Sequence, residues 1–515
     1  MTAERMIGLL AETGGFTCWD EPVGLPPDDP DYRAALLRAR ERTGLDEAVT
    51  TGRVRMAGRQ VALVVSEFGF LGGSIGVATA ERITRAVERA TAERLPLLAL
   101  PVSGGTRMQE GTAAFLCMVR ITAAVQAHRA AGLPYLTYLR NPTMGGVFAS
   151  WGTLGHLVLA EPGARLGFLG PRVYRELRGV ELPEEVQRAE TLAAHGLIDA
   201  VVPPERLAET VARALAVLAD PPAPCTDPST DPPAAPTDQS TGPSADPPAA
   251  PTDPSAAPEP PPAADRAVAA DAWAAVLRSR APERPGADAV LAAADPGWLE
   301  LASPGPALVR ALARFDGQPA LVVGQRPGEE RPFTAAELRS VRRTARTAEQ
   351  LGLPLVTLVD TSGAELSVRA ELDGLALEIA RTLETLVALR SPVLAVLLGQ
   401  GSGGGALALL PADTVLAASS GWLAPLPPEG ASAIVHRDGA HAAELARSQG
   451  IGAADLMAAG LVDHILSEGG DGAPDPGFAP RVARAVGTAL AGLTARPDGE
   501  RLAARAARHR RLGGG

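Results

Sequence analysis

The sequence of 515 residues contains no lysine, and all 48 of its basic residues are arginine. A lysine amine forms the Schiff base with aldehyde cofactors and completes the phosphate-binding P-loop. A lysine side chain is also the attachment point for biotin, a group carrier in carboxylation chemistry. The absence therefore excludes Schiff-base chemistry, a P-loop nucleotide site and a covalently attached biotin on this polypeptide.

Cysteine is nearly as scarce, with Cys18, Cys117 and Cys225 scattered singly along the chain. Zinc ribbons need paired CxxC ligands, and small disulfide frameworks need several cysteines at close spacing. The sequence also has no cluster of acidic residues or histidines with metal-ligand spacing. We therefore predict neither a metal site nor a disulfide-linked secreted protein.

Long apolar runs are missing as well. Gly, Pro or a charged residue interrupts each apolar stretch well short of the roughly 20 residues that a membrane helix needs. Residues 1–15 carry acidic residues and do not follow the pattern of a secretory signal. The net charge of -11 and the pI of about 5.3 give no electrostatic footprint for nucleic acid. These absences predict a cytoplasmic protein with neither a membrane nor a nucleic-acid partner.

Residues 218–265 consist almost wholly of Pro, Ala, Asp, Thr and Ser, and the segment DPPAAPTD occurs twice among them. Such a segment has too little apolar surface to offset the entropy lost on folding, and its prolines keep it extended. We predict a linker that separates a first domain, residues 1–217, from a second domain, residues 266–515.

The two flanking regions share one organisation, in which short apolar strands alternate with helices. The segments VALVVSEF, LPLLALPVS and LPYLTYL in the first have counterparts in ALVVGQ, LPLVTLVDT and SPVLAVLLG in the second. Alternation of this kind predicts α/β units with mostly parallel strands. Gly104 precedes Gly145 by 41 residues, and Gly363 precedes Gly404 by the same 41. The matching order and spacing predict a duplication of one domain.

Four glycine-rich loops stand at predicted strand-to-helix junctions: LGGSIG at 71–76, SGGTR at 103–107, PTMGG at 142–146 and GQGSGGG at 399–405. Glycines at a helix N-terminus allow backbone N–H groups to point at one anion or developing oxyanion. None of the loops is a P-loop, and no acidic residue ends a second strand about 20 positions after Gly72, as dinucleotide binding requires. For any single loop, a purely structural role in a turn is an alternative.

Side chains with ordinary catalytic chemistry are scarce. The seven histidines are isolated, and neither a GxSxG nor an HExxH motif occurs. His436 is the histidine that we retain as a candidate. Many amide donors beside few bases suit an enzyme whose base arrives on its substrate or cofactor.

These motifs carry a family resemblance. Residues 40–202, which include FGFLGGSIGVATAERITRAVERA, LPVSGGTRMQEG and LRNPTMGGVFASWGTLGHLVLAEPGARLGFLGPR, resemble the β subunit of the bacterial acetyl-CoA carboxylase carboxyltransferase. Residues 315–465, which include AEQLGLPLVTLVDTSGAE and SPVLAVLLGQGSGGGALALLPADTVL, are similar to its α subunit. The chain thus resembles a β–α fusion. The resemblance implies an α/β fold of two tandem crotonase-like (ClpP/crotonase) domains, with acyl-CoA on the β-like side and carboxybiotin on the α-like side.

The resemblance also implies a mechanism, in which the anion left when carboxybiotin releases CO2 takes the α-proton of the thioester. The resulting enolate attacks CO2, and both anions need paired N–H donors. The SGG motif implies Gly104 and Gly105 as catalytic donors to the thioester, and the GGA motif implies Gly404 and Gly405 as donors to the biotin carbonyl. Further substrate-binding residues implied by matching motifs are Gly72, Gly73, Ser74, Arg107, Gly145, Gly146 and Ala406. Arg107 and Arg82 are expected either to contact CoA phosphates or to form structural ion pairs.

The sequence departs from the family pattern in four places. The four-cysteine zinc ribbon of the β subunit is missing, so we expect no zinc. A glutamate of the α motif is Gln400 here, its TPGA is TSGA at 361–364, and its tryptophan aligns with His436. Three of these changes fall on the biotin side.

Three functions are therefore open. The first is a carboxyltransferase that makes a malonyl-CoA-type product for fatty acid biosynthesis or another pathway. The second is a decarboxylase of a malonyl-type thioester on the same fold, and the third is a non-catalytic assembly subunit. The first function implies biotin supplied in trans on a biotin carboxyl carrier protein, a separate biotin carboxylase, an acyl-CoA substrate and a homodimer or larger homo-oligomer.

Overall fold

The computed structural model describes residues 1–12, 15–24, 29–218, 271–326, 332–469 and 475–513. Nearly all of the predicted linker lies outside these ranges, so the domain boundaries placed in it stay a prediction. We call residues 1–218 the first half and residues 271–513 the second half.

The described ranges contain the following elements. The strands are β1 Phe16–Cys18, β2 Val49–Met56, β3 Arg59–Ser66, β4 Leu97–Leu100, β5 Tyr135–Leu139, β6 Thr143–Met144, β7 Leu157–Ala160, β8 Leu166–Gly167, β9 Ala200–Val201, β10 Leu299–Leu301, β11 Leu308–Phe315, β12 Gln318–Gln325, β13 Leu355–Thr361, β14 Val393–Ser402, β15 Thr414–Ala418, β16 Trp422–Ala424 and β17 His464–Leu466. The helices are α1 Ala3–Leu10, α2 Pro30–Thr43, α3 Val77–Ala92, α4 Gly111–Ala130, α5 Gly145–Phe148, α6 Pro171–Arg178, α7 Ala189–Ala194, α8 Pro204–Leu218, α9 Ala272–Ser279, α10 Ala287–Ala292, α11 Ala335–Leu351, α12 Val368–Leu372, α13 Leu375–Ala388, α14 Gly403–Leu407, α15 Pro428–Val435, α16 Ala442–Ser448, α17 Ala453–Ala458, α18 Phe478–Thr494 and α19 Asp498–Arg511.

Each half is built on its own sheet. The strand order is β1-β2-β3-β4-β5-β7-β9 in the first half and β10-β11-β12-β13-β14-β15-β17 in the second, where β16 also pairs with β14. In both sheets the first three strands pair antiparallel and the following strands pair parallel. Every residue of β4, β5, β13 and β14 is buried, which explains their continuous apolar sequences. The α/β prediction is confirmed.

The duplication extends to single hydrogen bonds. In the first half the Ile75 N–H donates to the Gly105 carbonyl at 3.0 Å, and in the second half the Phe333 N–H donates to the Gly363 carbonyl at 3.2 Å. Gly105 and Gly363 both adopt positive φ, +123° and +142°, a region that disfavours side chains. Gly363 is therefore the counterpart of Gly105.

The glycines that begin α5 and α14 indicate the same alignment of the two halves. Gly145 begins α5 with φ +65°, and Gly403 begins α14 with φ +69°. The sequence alignment, which paired Gly145 with Gly404 and Gly104 with Gly363, is thus wrong by one residue. The sequence alone does not tell which of two adjacent glycines is the counterpart of a given glycine in the other half. Their backbone φ angles do.

The two halves pack through helices that are apolar on most of their surface. Helix α4 of the first half lies against α13 of the second, and buried residues of both helices join one hydrophobic core. Thr112 of the first half also binds the second half: its N–H donates to the Gln449 carbonyl at 3.0 Å, and its hydroxyl donates to the Leu423 carbonyl at 3.2 Å. None of the helices within the described ranges combines the length and apolar character needed to span a membrane.

The last helix, α19, reaches back onto the first half. Arg510 binds Glu81 with two contacts of 2.8 Å and Glu88 at 2.6 Å. The Arg510 hydrogen bonds lower the pKa of Glu81 to about 2, against a usual value of 4.5. A carboxylate with a lowered folded-state pKa stabilises the fold above its unfolded-state pKa. That stabilisation disappears as the pH falls from 4.5 towards 2.

We expect Arg510→Ala to lower the free energy of unfolding at pH 7 by about 1 kcal/mol or less, since these side chains are partly exposed. The difference from the wild type shrinks as the pH is lowered below 4.5, because Glu81 then takes up a proton in the unfolded chain and in the folded variant, whereas in the folded wild type it stays ionised until the pH approaches 2. Urea unfolding at pH 7 and pH 3.5 measures both quantities. Arg511→Ala, one position further along, is the control, and an Arg510→Ala effect independent of pH would contradict the assignment.

Candidate active site

A cavity of about 160 Å³ lies between the two halves. The glycine-rich loops of both halves open onto it, and apolar side chains form the remaining walls. The lining residues are Gly104, Gly105, Thr106, Met108, Phe115, Met118, Gly145, Gly146, Ala149, Ser150, Phe168, Leu169, Gly170, Val173, Ile379, Leu383, Gly404, Leu407, Pro425, Leu426 and Ile434. No member of this described lining carries a titratable side chain. The cavity fits a neutral group that presents a carbonyl to backbone amides.

On the first-half wall, the loop after β4 is held by its own hydrogen bonds. The Gly104 N–H donates to the Gly72 carbonyl at 2.9 Å. The Gly104 N–H is therefore engaged within the loop in this structure, and its predicted role as an oxyanion donor stays untested. The Gly105 N–H donates to the Ser103 hydroxyl oxygen at 3.0 Å, and that hydroxyl donates to the Gly105 carbonyl at 3.1 Å. A hydroxyl partner can be shared with or replaced by a ligand oxygen, so Gly105 remains a candidate donor.

The N-terminus of α5 stands directly beside Gly105. A β-carbon placed on Gly145 would lie 3.2 Å from the Gly105 Cα, so this approach requires glycine. Gly145 and Gly146 belong to the first turn of α5, whose N–H groups have no partner inside the helix. Both residues line the cavity. The structure thus brings Gly105, Gly145 and Gly146 together as one group of amide donors.

On the second-half wall, β14 runs directly into α14. Gly403, Gly404 and Gly405 form the first turn of α14, so their N–H groups also lack partners inside the helix. Gly404 lines the cavity, and a β-carbon there would lie 3.0 Å from Ile379 Cγ2 and 3.4 Å from Phe168 Cε2. Gly405 and Ala406 are buried next to Gly404 but are not part of the lining.

Gln325 supports this turn from behind, a contact that the sequence did not reveal. Its side-chain Nε2 donates to the Gly405 carbonyl at 3.4 Å, and its Oε1 accepts the Asp360 N–H at 3.2 Å. Gln325 is completely buried. Its hydrogen bonds connect the end of β12 to both β13 and α14. They thereby fix the position of the first turn of α14 relative to the sheet.

The predicted CoA-side loop of Gly72, Gly73 and Ser74 supports the site without lining it. Gly72 accepts the Gly104 N–H, as described above, and the Ser74 hydroxyl donates to the Leu71 carbonyl at 2.8 Å. A β-carbon on Gly73 would lie 2.0 Å from the Val102 carbonyl oxygen. Packing against the Gly104 loop explains these glycines, and their predicted contact with substrate stays untested.

Arg107 forms a buried ion-pair network, and its predicted contact with substrate stays untested. It is 1% exposed and pairs with Glu47 at 2.6 Å and with Glu110 at 3.2 Å. Its guanidinium also donates to the Tyr32 hydroxyl at 2.9 Å. Desolvation by burial lowers the pKa of Arg107, but its pairing with Glu47 outweighs this and raises the pKa overall. Glu47, Glu110 and Tyr32 thus enclose the guanidinium.

Arg82 belongs to a similar network. It donates to Asp46 at 3.0 Å, lies 3.5 Å from Asp20, and donates to the Val49 carbonyl at 3.0 Å. Both arginines therefore form ion pairs in this structure, which is one of the two alternatives, and the alternative of contact with CoA phosphates stays untested. His436 is exposed, stacks on His441 with ring centroids 4.2 Å apart, and is not part of the cavity lining.

Phe168 and Glu371 were missed because no local motif marks them. Phe168 follows β8 in the first half and packs over Gly404 of the second. Glu371, on α12 of the second half, accepts the Phe168 N–H at 3.2 and 3.3 Å. Burial of the carboxyl group raises the pKa of Glu371 to about 7. Only the packing of the halves brings these residues to one place.

Comparison with known proteins places these features in a family context. The profile described as Carboxyl transferase domain matches residues 31–465. The probable biotin-dependent acyl-coenzyme A carboxylase beta3 subunit of Mycobacterium tuberculosis (strain ATCC 25618 / H37Rv) is 51% identical over 522 residues, which cover 100% of this chain and 99% of that protein. The acetyl-coenzyme A carboxylase carboxyl transferase subunits beta/alpha of Salinispora arenicola (strain CNS-205) are 38% identical over 492 residues, 91% of this chain and 82% of that protein. The solved structure of transcarboxylase 12S aligns with 96% of this chain and 90% of its own, at 21% identity and a TM-score of 0.36.

Proposed function

The chain belongs to the carboxyl transferase family, and we propose that it moves a carboxyl group from carboxybiotin on a separate carrier protein to the α-carbon of an acyl-CoA. The product is a malonyl-CoA-type thioester. The two halves are crotonase-like domains related by duplication. One observation carries the proposal for the site: amide-rich helix N-termini from both halves open onto a single cavity whose described lining has no titratable side chain.

The cavity suits both reactants. A thioester and a cyclic urea are neutral groups with one carbonyl oxygen each, and both develop negative charge on that oxygen during the reaction. Carboxybiotin supplies the carboxyl group and, once that group has left, the base that a side chain would otherwise provide. The chain's own residues therefore need to bind, orient and stabilise charge, and do not need to titrate.

We assign the amide donors separately for the first-half wall and the second-half wall of the cavity. Gly145 and Gly146 in the first turn of α5, with Gly105 beside them, donate to the thioester oxygen. Gly404 and Gly405 in the first turn of α14 donate to the biotin carbonyl, and Ala406 closes that turn. Pre-oriented amides of this kind stabilise a developing oxyanion without reorganisation, and one donor contributes about 3–4 kcal/mol to lowering the barrier.

The apolar walls keep water out. Phe115 and Met118 from α4 face Ile379 and Leu383 from α13 across the cavity. An enolate that meets water is protonated and wasted, and amide donors act more strongly when water is excluded. The contact between the halves is thus part of the chemistry as well as of the fold.

Biotin has to come from another polypeptide, because this sequence has no lysine to carry it. We propose a biotin carboxyl carrier protein and a biotin carboxylase as partners, and an assembly of more than one copy of this chain. The same cavity accepts both the acyl group and the biotin ring, so the carrier must bring its biotin to the opening between the halves.

The reverse reaction tests the function. The purified chain is incubated with malonyl-CoA or methylmalonyl-CoA, with and without biotinylated carrier protein, and the acyl-CoA product and CO2 are measured. We expect decarboxylated acyl-CoA to form only with carrier present and the carrier to become carboxylated. Rapid biotin-independent CO2 release would instead identify a decarboxylase. Binding of acyl-CoA without turnover would identify an assembly subunit.

A further inference from the structure

The cavity between the halves has a closed inner end and an opening. Its lining residues on α4 and α13 are all buried and form the inner end: Phe115, Met118, Ile379 and Leu383. Other lining residues are partly exposed and mark the opening, among them Thr106, Leu169, Pro425 and Ile434. The CoA moiety of a bound thioester is far larger than a cavity of about 160 Å³ and has to stay at the opening. The acyl group therefore points inward, towards α4 and α13.

Each wall has its own side chains beside its amide donors. On the first-half wall, a β-carbon on Gly146 of α5 would lie 3.4 Å from Met118 Cγ and 3.5 Å from Met118 Sδ. On the second-half wall, a β-carbon on Gly404 of α14 would instead meet Ile379 and Phe168. Met118 is thus the buried side chain next to the donors that we assign to the thioester, and Ile379 is next to those assigned to biotin.

Met118 is held in one place although a methionine side chain is flexible. It is 1% exposed, and its Sδ lies 3.6 Å from the Ser150 hydroxyl, which also donates to the Gly146 carbonyl. Methionine often adapts to irregular space, but these contacts fix the thioether beside α5. Thr106 Cγ2, at 3.3 Å, is the other close neighbour of a β-carbon on Gly146, and it belongs to the opening. Met118 therefore limits the space at the inner end of the first-half wall.

The inner end also restricts the polarity of the acyl group. Helices α4 and α13 present only apolar side chains to it, and the Ser150 hydroxyl is already engaged with Gly146. A hydroxyl or a second carboxylate on the acyl chain would lose its water there without gaining a partner, which is costly. The inner end thus fits a short, apolar acyl chain.

We infer that Met118 is a specificity-determining residue, which restricts the substrates of this enzyme to acyl-CoA thioesters with a short, apolar acyl chain. The inference rests on the proposed function, because it places the thioester at the α5 donors. The end of the acyl chain contacts the Met118 thioether, so a longer chain has to displace side chains of a packed core. Pockets of this kind discriminate between chains that differ by one methylene by about 10- to 200-fold.

Shortening Met118 in the full-length chain tests the inference. Met118→Ala removes Cγ, Sδ and Cε and so extends the inner end by a volume that further acyl carbons can fill. The measurement is kcat/KM for hexanoyl-CoA and for propionyl-CoA with carboxylated carrier protein. We expect the ratio of hexanoyl-CoA to propionyl-CoA to rise by about 10- to 200-fold over the wild type. Met118→Leu, which conserves the side-chain volume, should keep the wild-type ratio.

Met6→Ala is the matched control, because it removes the same atoms elsewhere. Met6 is also 1% exposed, but it lies in a separate apolar core of the first half and is not part of the described cavity lining. Its replacement creates a cavity in a core without changing the inner end. Met6→Ala should therefore lower the melting temperature and leave the ratio at the wild-type value.

Calorimetric binding of the two acyl-CoAs supplies a second measurement that needs no turnover. Hexanoyl-CoA should gain affinity relative to propionyl-CoA in Met118→Ala, and less so in Met118→Val, which takes the place of Met118→Ala if that variant does not fold. An unchanged ratio in the folded variant, an equal rise in Met6→Ala, or a wild type that uses both acyl-CoAs equally well would overturn the inference. If the wild type transfers no carboxyl group but Met118→Ala gains affinity for hexanoyl-CoA, the proposed function fails while the role of Met118 stands.

Discussion

Replacing Gly405 with proline lowers kcat for carboxyl transfer by about 100- to 1,000-fold, while Gly405→Ala keeps it within about threefold. Proline deletes one backbone N–H, and in the first turn of a helix that N–H has no intrahelical partner to lose. The change therefore removes a donor to the biotin carbonyl and leaves the hydrogen bonds of α14 in place.

Alanine is the matched control because the space for it exists. A β-carbon on Gly405 would meet Phe333 Cδ1 at 3.8 Å and the Ala364 Cβ at 3.9 Å, which are ordinary contacts. The backbone of Gly405 does not have the positive φ that would exclude a side chain. Alanine keeps the N–H and proline removes it, so their difference isolates the amide.

The measurement is kcat for exchange between malonyl-CoA and biotinylated carrier, with melting temperatures and acyl-CoA affinity determined for each variant. We expect both variants to fold and to bind acyl-CoA as the wild type does. Equal kcat values for Gly405→Pro and the wild type would show that Gly405 is not a donor. Equal losses in both variants would point to packing instead of the amide.

Arg107→Met lowers the free energy of unfolding by about 3–5 kcal/mol, and adding Glu47→Leu restores most of the loss. Arg107 and Glu47 are 1% and 2% exposed and lie 2.6 Å apart. Removing one member of a buried pair leaves the other charge without a partner or water. Replacing both by apolar side chains of similar size removes that penalty for Glu47, while Glu110, which is 17% exposed, still accepts hydrogen bonds from the Tyr32 hydroxyl and the Val77 N–H.

Denaturant unfolding of the single and double variants gives the stability values. The KM for acyl-CoA in the double variant decides between the two roles that the sequence allowed for Arg107. We expect it to equal the wild-type value, since the guanidinium lies enclosed by Glu47, Glu110 and Tyr32. A KM raised more than about tenfold with stability restored would assign Arg107 to the CoA phosphates after all.

The strands, the helices and the duplication could be predicted because they depend on local patterns. Buried parallel strands are continuous apolar runs, and β13 and β14 were recognisable from LPLVTLVDT and SPVLAVLLG for that reason. The amide-bearing loops were recognisable because glycine is needed wherever φ is positive or backbones approach closely. Gly145 meets both conditions, and Gly105 meets the first.

Other parts of the site depend on partners that are distant in sequence. The Gly104 amide is engaged by the Gly72 carbonyl, and Arg107 is neutralised by Glu47; neither pairing leaves a trace in the local pattern. Phe168 and Glu371 become neighbours only when the halves dock, 203 positions apart along the chain. A motif can nominate a loop, but the hydrogen bonds of the fold decide which of its amides are left for a ligand.

Because the proposed donors are backbone N–H groups, the stabilisation that they give to an anion depends little on counterions, on protonation or on chemical modification. A guanidinium or imidazole that stabilises an anion is weakened by counterions, by proton exchange or by chemical modification. Peptide N–H groups carry no net charge, do not titrate at physiological pH and cannot be altered by side-chain-directed reagents. The stabilisation of the oxyanion by these amides should therefore be almost unaffected by ionic strength. Any salt dependence of turnover should come from the docking of the proposed carrier.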